Sequence, residues 1–253
     1  MSGRAHGPAR ASAPAWHEVH LWHFSLDVAA DGFAGVLSPE EEARRDRLAD
    51  VRHRNRFTVA HGVKRRILGP YLSTPPRRVP IETGRWGKPR VAGDEVTFSL
   101  SHAGGAALLA VSRGRDVGVD IERPRPGLDP PRFAARYFRP EESRQVASAA
   151  PALRWASFLA LWTRKEASVK AVGARLGQAL SLPVGRGACA VCVPAGPTAA
   201  QCRVDDIAVR PGHAGAVALV GPGPFRVVSR TWDAAGAVDG TAAAVTEVPI
   251  SFR

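Results

Sequence analysis

The chain has 253 residues, enough for one large domain or two moderate ones with a substantial core. With 35 Lys and Arg against 23 Asp and Glu its formal net charge is +12, so anionic partners are expected. No apolar run approaches the roughly 20 residues that cross a bilayer, which excludes a membrane-spanning helix from the expectations.

Residues 1–15 are rich in Gly, Ala, Ser, Pro and Arg and lack the apolar stretch of a secretory signal. They read as a disordered tail, and the expected location is cytoplasmic. Val19–Leu26 then reads as a first strand. Ser38-Pro39 followed by Glu40, Glu41 and Glu42 is a helix start, with Ser as N-cap, Pro at the first position and acids in the first turn. A basic helical stretch runs from Arg44 to Leu72, broken or bent near Asp50–His53, with apolar residues at helical spacing and arginines between them. Short strands follow at Val79–Glu82, Val96–Leu100, Ala106–Val111 and Val117–Ile121. Helices are expected around Phe133–Phe138, after Arg139-Pro140, and over Ala152–Val172, the longest. Beyond Gly185, Val- and Ala-rich strands alternate with Gly/Pro turns. Each half therefore runs through helices into antiparallel strands, which predicts an α+β fold. The halves divide near residue 115, into 16–115 and 116–253.

Two metal-like patterns are discounted. Cys189 and Cys192 lie three apart in a predicted strand, on opposite faces. His17, His20 and His23, evenly spaced through a first strand, share no single face either.

The acidic residues are more informative. In Val117-Gly-Val-Asp-Ile-Glu122, strand alternation turns the apolar residues one way and Gly118, Asp120 and Glu122 the other. Gly118 leaves room for something bulky to approach. Solvated acids on a half-exposed strand would give the same pattern. On the long helix, however, Glu166 shares a stripe with Trp155, Leu159, Trp162 and Val169. A carboxylate there needs a cation, either a salt bridge to Lys165 or Lys170 or a bound metal. Three carboxylates without histidine or thiol suit Mg²⁺ completed by substrate phosphates. Lys88 in the Gly84–Pro89 turn, Ser101 and His102 at a strand exit, and Arg47, Arg52 and Arg56 supply groups for a phosphorylated ligand.

In order, Gly87-Lys-Pro89, Phe98-Ser-Leu-Ser-His102, Val117-Gly-Val-Asp-Ile-Glu122, Phe138-Arg-Pro-Glu-Glu142 and Trp162-Thr-Arg-Lys-Glu-Ala-Ser-Val-Lys-Ala171 resemble the 4′-phosphopantetheinyl transferases of the larger, single-chain, surfactin-synthetase-activating type. The resemblance covers roughly residues 16 to 225. It implies two pseudosymmetric α/β halves with the active site between them. It implies transfer of phosphopantetheine from coenzyme A to a serine of an apo acyl or peptidyl carrier protein, by a monomer. Asp120, Glu122 and Glu166 would hold Mg²⁺ against the pyrophosphate, with Lys165 and Lys170 neutralising its charge. Lys88, His102, Ser101 and an arginine such as Arg47 or Arg52 would contact the nucleotide end. Glu166 would serve as general base. The sequence departs from the family at Ser99, often Asn there, and at Arg175, in a turn that is usually richer in glycine. A nucleic-acid-binding module is the competing reading of the charge, but it lacks a reading motif with exposed aromatics. No nucleic-acid partner is expected.

Overall fold

A computed structural model of the chain describes residues 13–93, 95–185, 187–195, 198–233 and 245–248. The tail expected over 1–15 falls outside them up to residue 12.

The first strand, β1, spans Glu18–Ser25. Helix α1 spans Pro39–Asp46 behind a capping box, in which Ser38 Oγ accepts from Glu41 N and Glu41 Oε2 accepts from Ser38 N. Of the break or bend expected near Asp50, the structure has the break. Asp50 caps a separate helix, α2 (Val51–Tyr71), by accepting from His53 N at 2.7 Å. The Glu41 carboxylate clamps the two helices, meeting Lys64 at 2.7 Å, Arg65 at 2.5 Å and His61 at 2.9 Å. Lys64 and Arg65 are buried in that contact and serve the fold.

A small hairpin of β2 (Ile81–Thr83) and β3 (Pro89–Val91) precedes β4 (Val96–Ala103), β5 (Ala106–Arg113) and β6 (Val117–Glu122). Helices α3 (Pro130–Tyr137), α4 (Pro140–Ser148) and α5 (Arg154–Val172) follow, then the short α6 (Leu176–Ala179). Strands β7 (Cys189–Ala195), β8 (Thr198–Asp206), β9 (Ala214–Val220), β10 (Phe225–Thr231) and β11 (Val245–Val248) complete the chain. The fold is α+β, as expected.

One sheet has the order β11-β10-β1-β5-β4 and another β6-β9-β8-β7. Strand alternation gives each sheet two apolar faces. On the first, Trp22, Phe98 and Leu109 pack on Val59, Val63 and Leu68 of α2. Its other face, with Val19, Leu21 and Leu108, meets Val117, Val119, Ile121 and Leu219 of the second sheet. The far side of the second sheet, with Val204, Ala216 and Ala218, packs on α5 through Leu159 and Phe158. The layers run helix, sheet, sheet, helix. Each large apolar side chain so buried contributes about 1.5–3 kcal/mol.

A division near residue 115 does not contain the end of the chain. β10 pairs in parallel with β1, Glu18 opposite Arg226, so the last strands return to the first sheet. Among the described residues no helix is long and apolar enough to cross a membrane.

Candidate active site

β6 turns Gly118, Asp120 and Glu122 toward α5. The bulky neighbour for which Gly118 leaves room is α5 itself. A Cβ at 118 would strike the Ala167 carbonyl oxygen and the Ala171 nitrogen, and would lie 3.0 Å from Ala171 Cα. Glycine therefore lets the helix backbone lie directly on the strand. That close approach carries Glu166 and Lys170, one helical turn apart, over Asp120.

Asp120 is buried, with a relative exposure of 2 %. Its Oδ1 accepts from Lys170 Nζ at 2.6 Å and from Ser101 Oγ at 2.7 Å. Its Oδ2 is equally buried and has no hydrogen-bond partner. An unmatched carboxylate oxygen in such a setting is costly unless a cation completes it. Glu166 stands half-buried beside it. Burial pushes its carboxyl up, the Asp120 and Glu122 charges push it further, and Lys170 pulls against them, leaving a pKa of about 7. Glu122 is held by Arg125 from the following loop. Among the described residues no three acidic, histidine or cysteine side chains are drawn together at metal-ligand spacing. The Asp120 and Glu122 charges nevertheless act on Glu166.

The phosphate-binding candidates separate into two groups. Lys88 donates to the Ala171 carbonyl oxygen at 2.5 Å and to Asp116 Oδ1 at 3.1 Å, which ties the β2–β3 hairpin to the carboxyl end of α5. Burial holds its pKa below the usual lysine value. Lys88, Lys170, Ser99, Arg44 and His61 line a cavity of about 560 Å³ between α1, α2, β4 and α5. His102 lies at the exposed end of β4, and desolvation of its ring together with the Lys170 and Arg56 charges lowers its pKa. Arg47 and Arg52, by contrast, are exposed and line none of the cavities described. Arg44 lines the cavity, and Arg56, paired with Asp27, acts on His102 through its charge.

Lys165 also stands elsewhere. Its ammonium is buried against α4, 2.7 Å from Glu142 Oε2 and over the Phe138 ring. It also donates to the Leu182 carbonyl. Adjacent helix positions point about 100° apart, and here Lys165 turns to α4 while Glu166 turns to β6. The expected role at the pyrophosphate does not fit this placement. Lys165 anchors α5 to α4.

Two features escaped the sequence. Trp86 sits at the hairpin tip with φ 60°, a left-handed conformation uncommon for a bulky residue. Its ring carries the Arg175 guanidinium, 4.0 Å from the ring centre. Arg175, a departure from the family turn, thus joins the hairpin to the segment after α5 above a second cavity of about 650 Å³. The cysteines are free thiols.

Comparison with known proteins fits this geometry. A family profile described as the 4′-phosphopantetheinyl transferase superfamily matches residues 116–208, the segment from β6 to just beyond β8. The chain is 39 % identical over 163 residues to the 4′-phosphopantetheinyl transferase HetI of Nostoc sp., covering 62 % of this chain and 69 % of that protein. It is 31 % identical over 149 residues to the 4′-phosphopantetheinyl transferase AcpT of Salmonella typhi, covering 58 % and 70 %. A 4′-phosphopantetheinyl transferase of Bacillus subtilis is 29 % identical over 147 residues, 57 % of each chain. The chain belongs to the 4′-phosphopantetheinyl transferase superfamily, whose enzymes move the phosphopantetheine arm of coenzyme A onto carrier proteins.

Proposed function

We propose that the transfer runs at the α5–β6 contact, with Mg²⁺ held by Asp120, Glu122 and Glu166 and with the nucleotide end of coenzyme A in the adjoining basic cavity. The observation that carries this reading is the buried, unpartnered Oδ2 of Asp120, on a strand whose charges act on Glu166 of the overlying helix. An all-oxygen donor set with no soft ligand fits a hard divalent cation. Bound there, the ion would neutralise charge on the pyrophosphate oxygens as a Lewis acid.

The chain's own groups account for the rest. Arg44 and Lys88 provide positive charge for the nucleotide phosphates, and the neutral His102 ring provides a donor. Lys170, already on Asp120, adds a cation at the reacting end. In the reaction the carrier serine Oγ forms a bond to the β-phosphorus of coenzyme A. The bond from that phosphorus to the oxygen bridging to the α-phosphate breaks, and 3′,5′-ADP leaves. Glu166, which α5 carries over the strand acids, takes the serine proton. The acceptor is an apo acyl or peptidyl carrier protein, and the charge of +12 favours encounter with an acidic one.

The test is intact-mass measurement of apo-carriers incubated with the protein, coenzyme A and Mg²⁺. A mass gain of one phosphopantetheine that is abolished by EDTA supports the reading. A gain that EDTA leaves unchanged defeats the metal assignment, and no gain on any acyl or peptidyl carrier defeats the acceptor assignment.

A further inference from the structure

β4 and β6 are edge strands of different sheets and share no backbone ladder among the described residues. Two serine hydroxyls stand in for one. Ser99 Oγ accepts from Val119 N at 3.1 Å, and Ser101 Oγ accepts from Ile121 N at 3.4 Å. Both serines are buried, so an apolar residue at either position would leave a β6 N–H without a partner. To that extent they do the same work.

Ser101 does more. Its hydroxyl has one proton and two lone pairs. The proton goes to Asp120 Oδ1 at 2.7 Å, and Lys170 Nζ donates to the same hydroxyl at 3.1 Å. With Ile121 N, these contacts use its whole hydrogen-bonding capacity. Nothing remains with which Ser101 could reach a ligand phosphate, the role the family resemblance implies for it. Asp120, meanwhile, is divided into an oxygen with two donors and an oxygen with none.

We propose that Ser101 is a positioning residue that fixes the rotation of the Asp120 carboxylate, so that Oδ1 is engaged internally and Oδ2 is presented to the cation. This rests on the reading of Asp120 as a cation ligand. Ser99 is its built-in control, because it makes the same inter-sheet tie without touching Asp120.

The experiment titrates Mn²⁺ into the full-length protein with saturating coenzyme A and follows free Mn²⁺ by electron paramagnetic resonance. The proteins compared are wild type, S99A, S101A, S101T and D120N, each checked for folding by circular dichroism. Binding by wild type and its loss in D120N establish the cation site. Ser101→Ala is then expected to weaken Mn²⁺ binding by about tenfold or more, with Ser101→Thr within about twofold of wild type and Ser99→Ala, resaturated with coenzyme A because Ser99 lines the nucleotide cavity, weakened clearly less than Ser101→Ala. If Ser101→Ala does not fold, Ser101→Cys, nearly isosteric and a poor donor, is read in its place. Wild-type affinity in Ser101→Ala overturns the proposal, as does equal weakening in Ser99→Ala or failure of threonine to restore binding. Absence of Mn²⁺ binding by wild type overturns the cation site itself, and the proposal with it.

Discussion

Replacing Gly118 by alanine tests the contact on which the site depends. The added Cβ would sit 3.0 Å from Ala171 Cα and would collide with the Ala167 carbonyl and the Ala171 amide. Carbon atoms settle about 3.5–4.0 Å apart, so α5 must retreat by at least about 0.5–1 Å, and further to clear the Ala167 carbonyl. The neighbours are backbone atoms of a packed helix and cannot rotate aside. Overpacking of this kind costs about 1–3 kcal/mol. At roughly 2–4 °C per kcal/mol for a chain of this size, Tm should fall by about 2–12 °C. The same retreat draws Lys170 and Glu166 away from Asp120, and a misplacement of about 1 Å can cost about 10²-fold in rate. Melting followed by circular dichroism and turnover followed by carrier mass read the two effects separately. Gly35→Ala, which meets open space, is the control. A Gly118→Ala protein that melts and turns over like wild type would refute the idea that this glycine seats the helix.

The other predictions concern single side chains. Glu166→Gln should lower transfer by about 10²–10⁴-fold while coenzyme A binding, read by calorimetry, is only weakened; unaltered turnover removes Glu166 as the base. Lys165→Met should strand the buried Glu142 carboxylate and cost about 3–5 kcal/mol in denaturant unfolding, yet leave the KM for coenzyme A unchanged. A raised KM with intact stability would return Lys165 to the ligand site. His20, buried beside the Tyr71 hydroxyl, has its pKa lowered to about 4, chiefly by burial. The unfolded chain therefore binds more protons between about pH 4 and 6.5, and the stability this group supports above that window is lost as pH falls. Between pH 7 and 5 the loss is about 2 kcal/mol. His20→Gln should be less pH-sensitive than wild type by that amount, and identical slopes would contradict the assignment.

Much of the site was legible because its signals are local. The alternation Gly118, Asp120, Glu122 fixes which way the acids point, since strand geometry leaves no other choice. The helical stripe through Trp162, Glu166 and Val169 likewise puts Glu166 on an inward face. Arg47 and Arg52 were less tractable, because a one-turn difference at the α1–α2 break redirects a side chain without altering composition. Lys165 shares its helix and its charge with Lys170, and only the position of Glu142 on α4 shows that the two serve different ends.

By itself the sequence pointed to most of the elements, their apolar faces and the family, and it offered three carboxylates as a candidate chemical centre. The tertiary structure decided what each polar group spends its bonds on. It sent β10 back beside β1, buried Lys64 and Arg65 under Glu41, and gave Ser101 to Asp120. Periodicity is written along one chain segment, whereas a hydrogen bond is a competition among all the donors and acceptors that folding brings within about 3 Å. That competition is settled between segments far apart in sequence, as Ser101, Asp120 and Lys170 are.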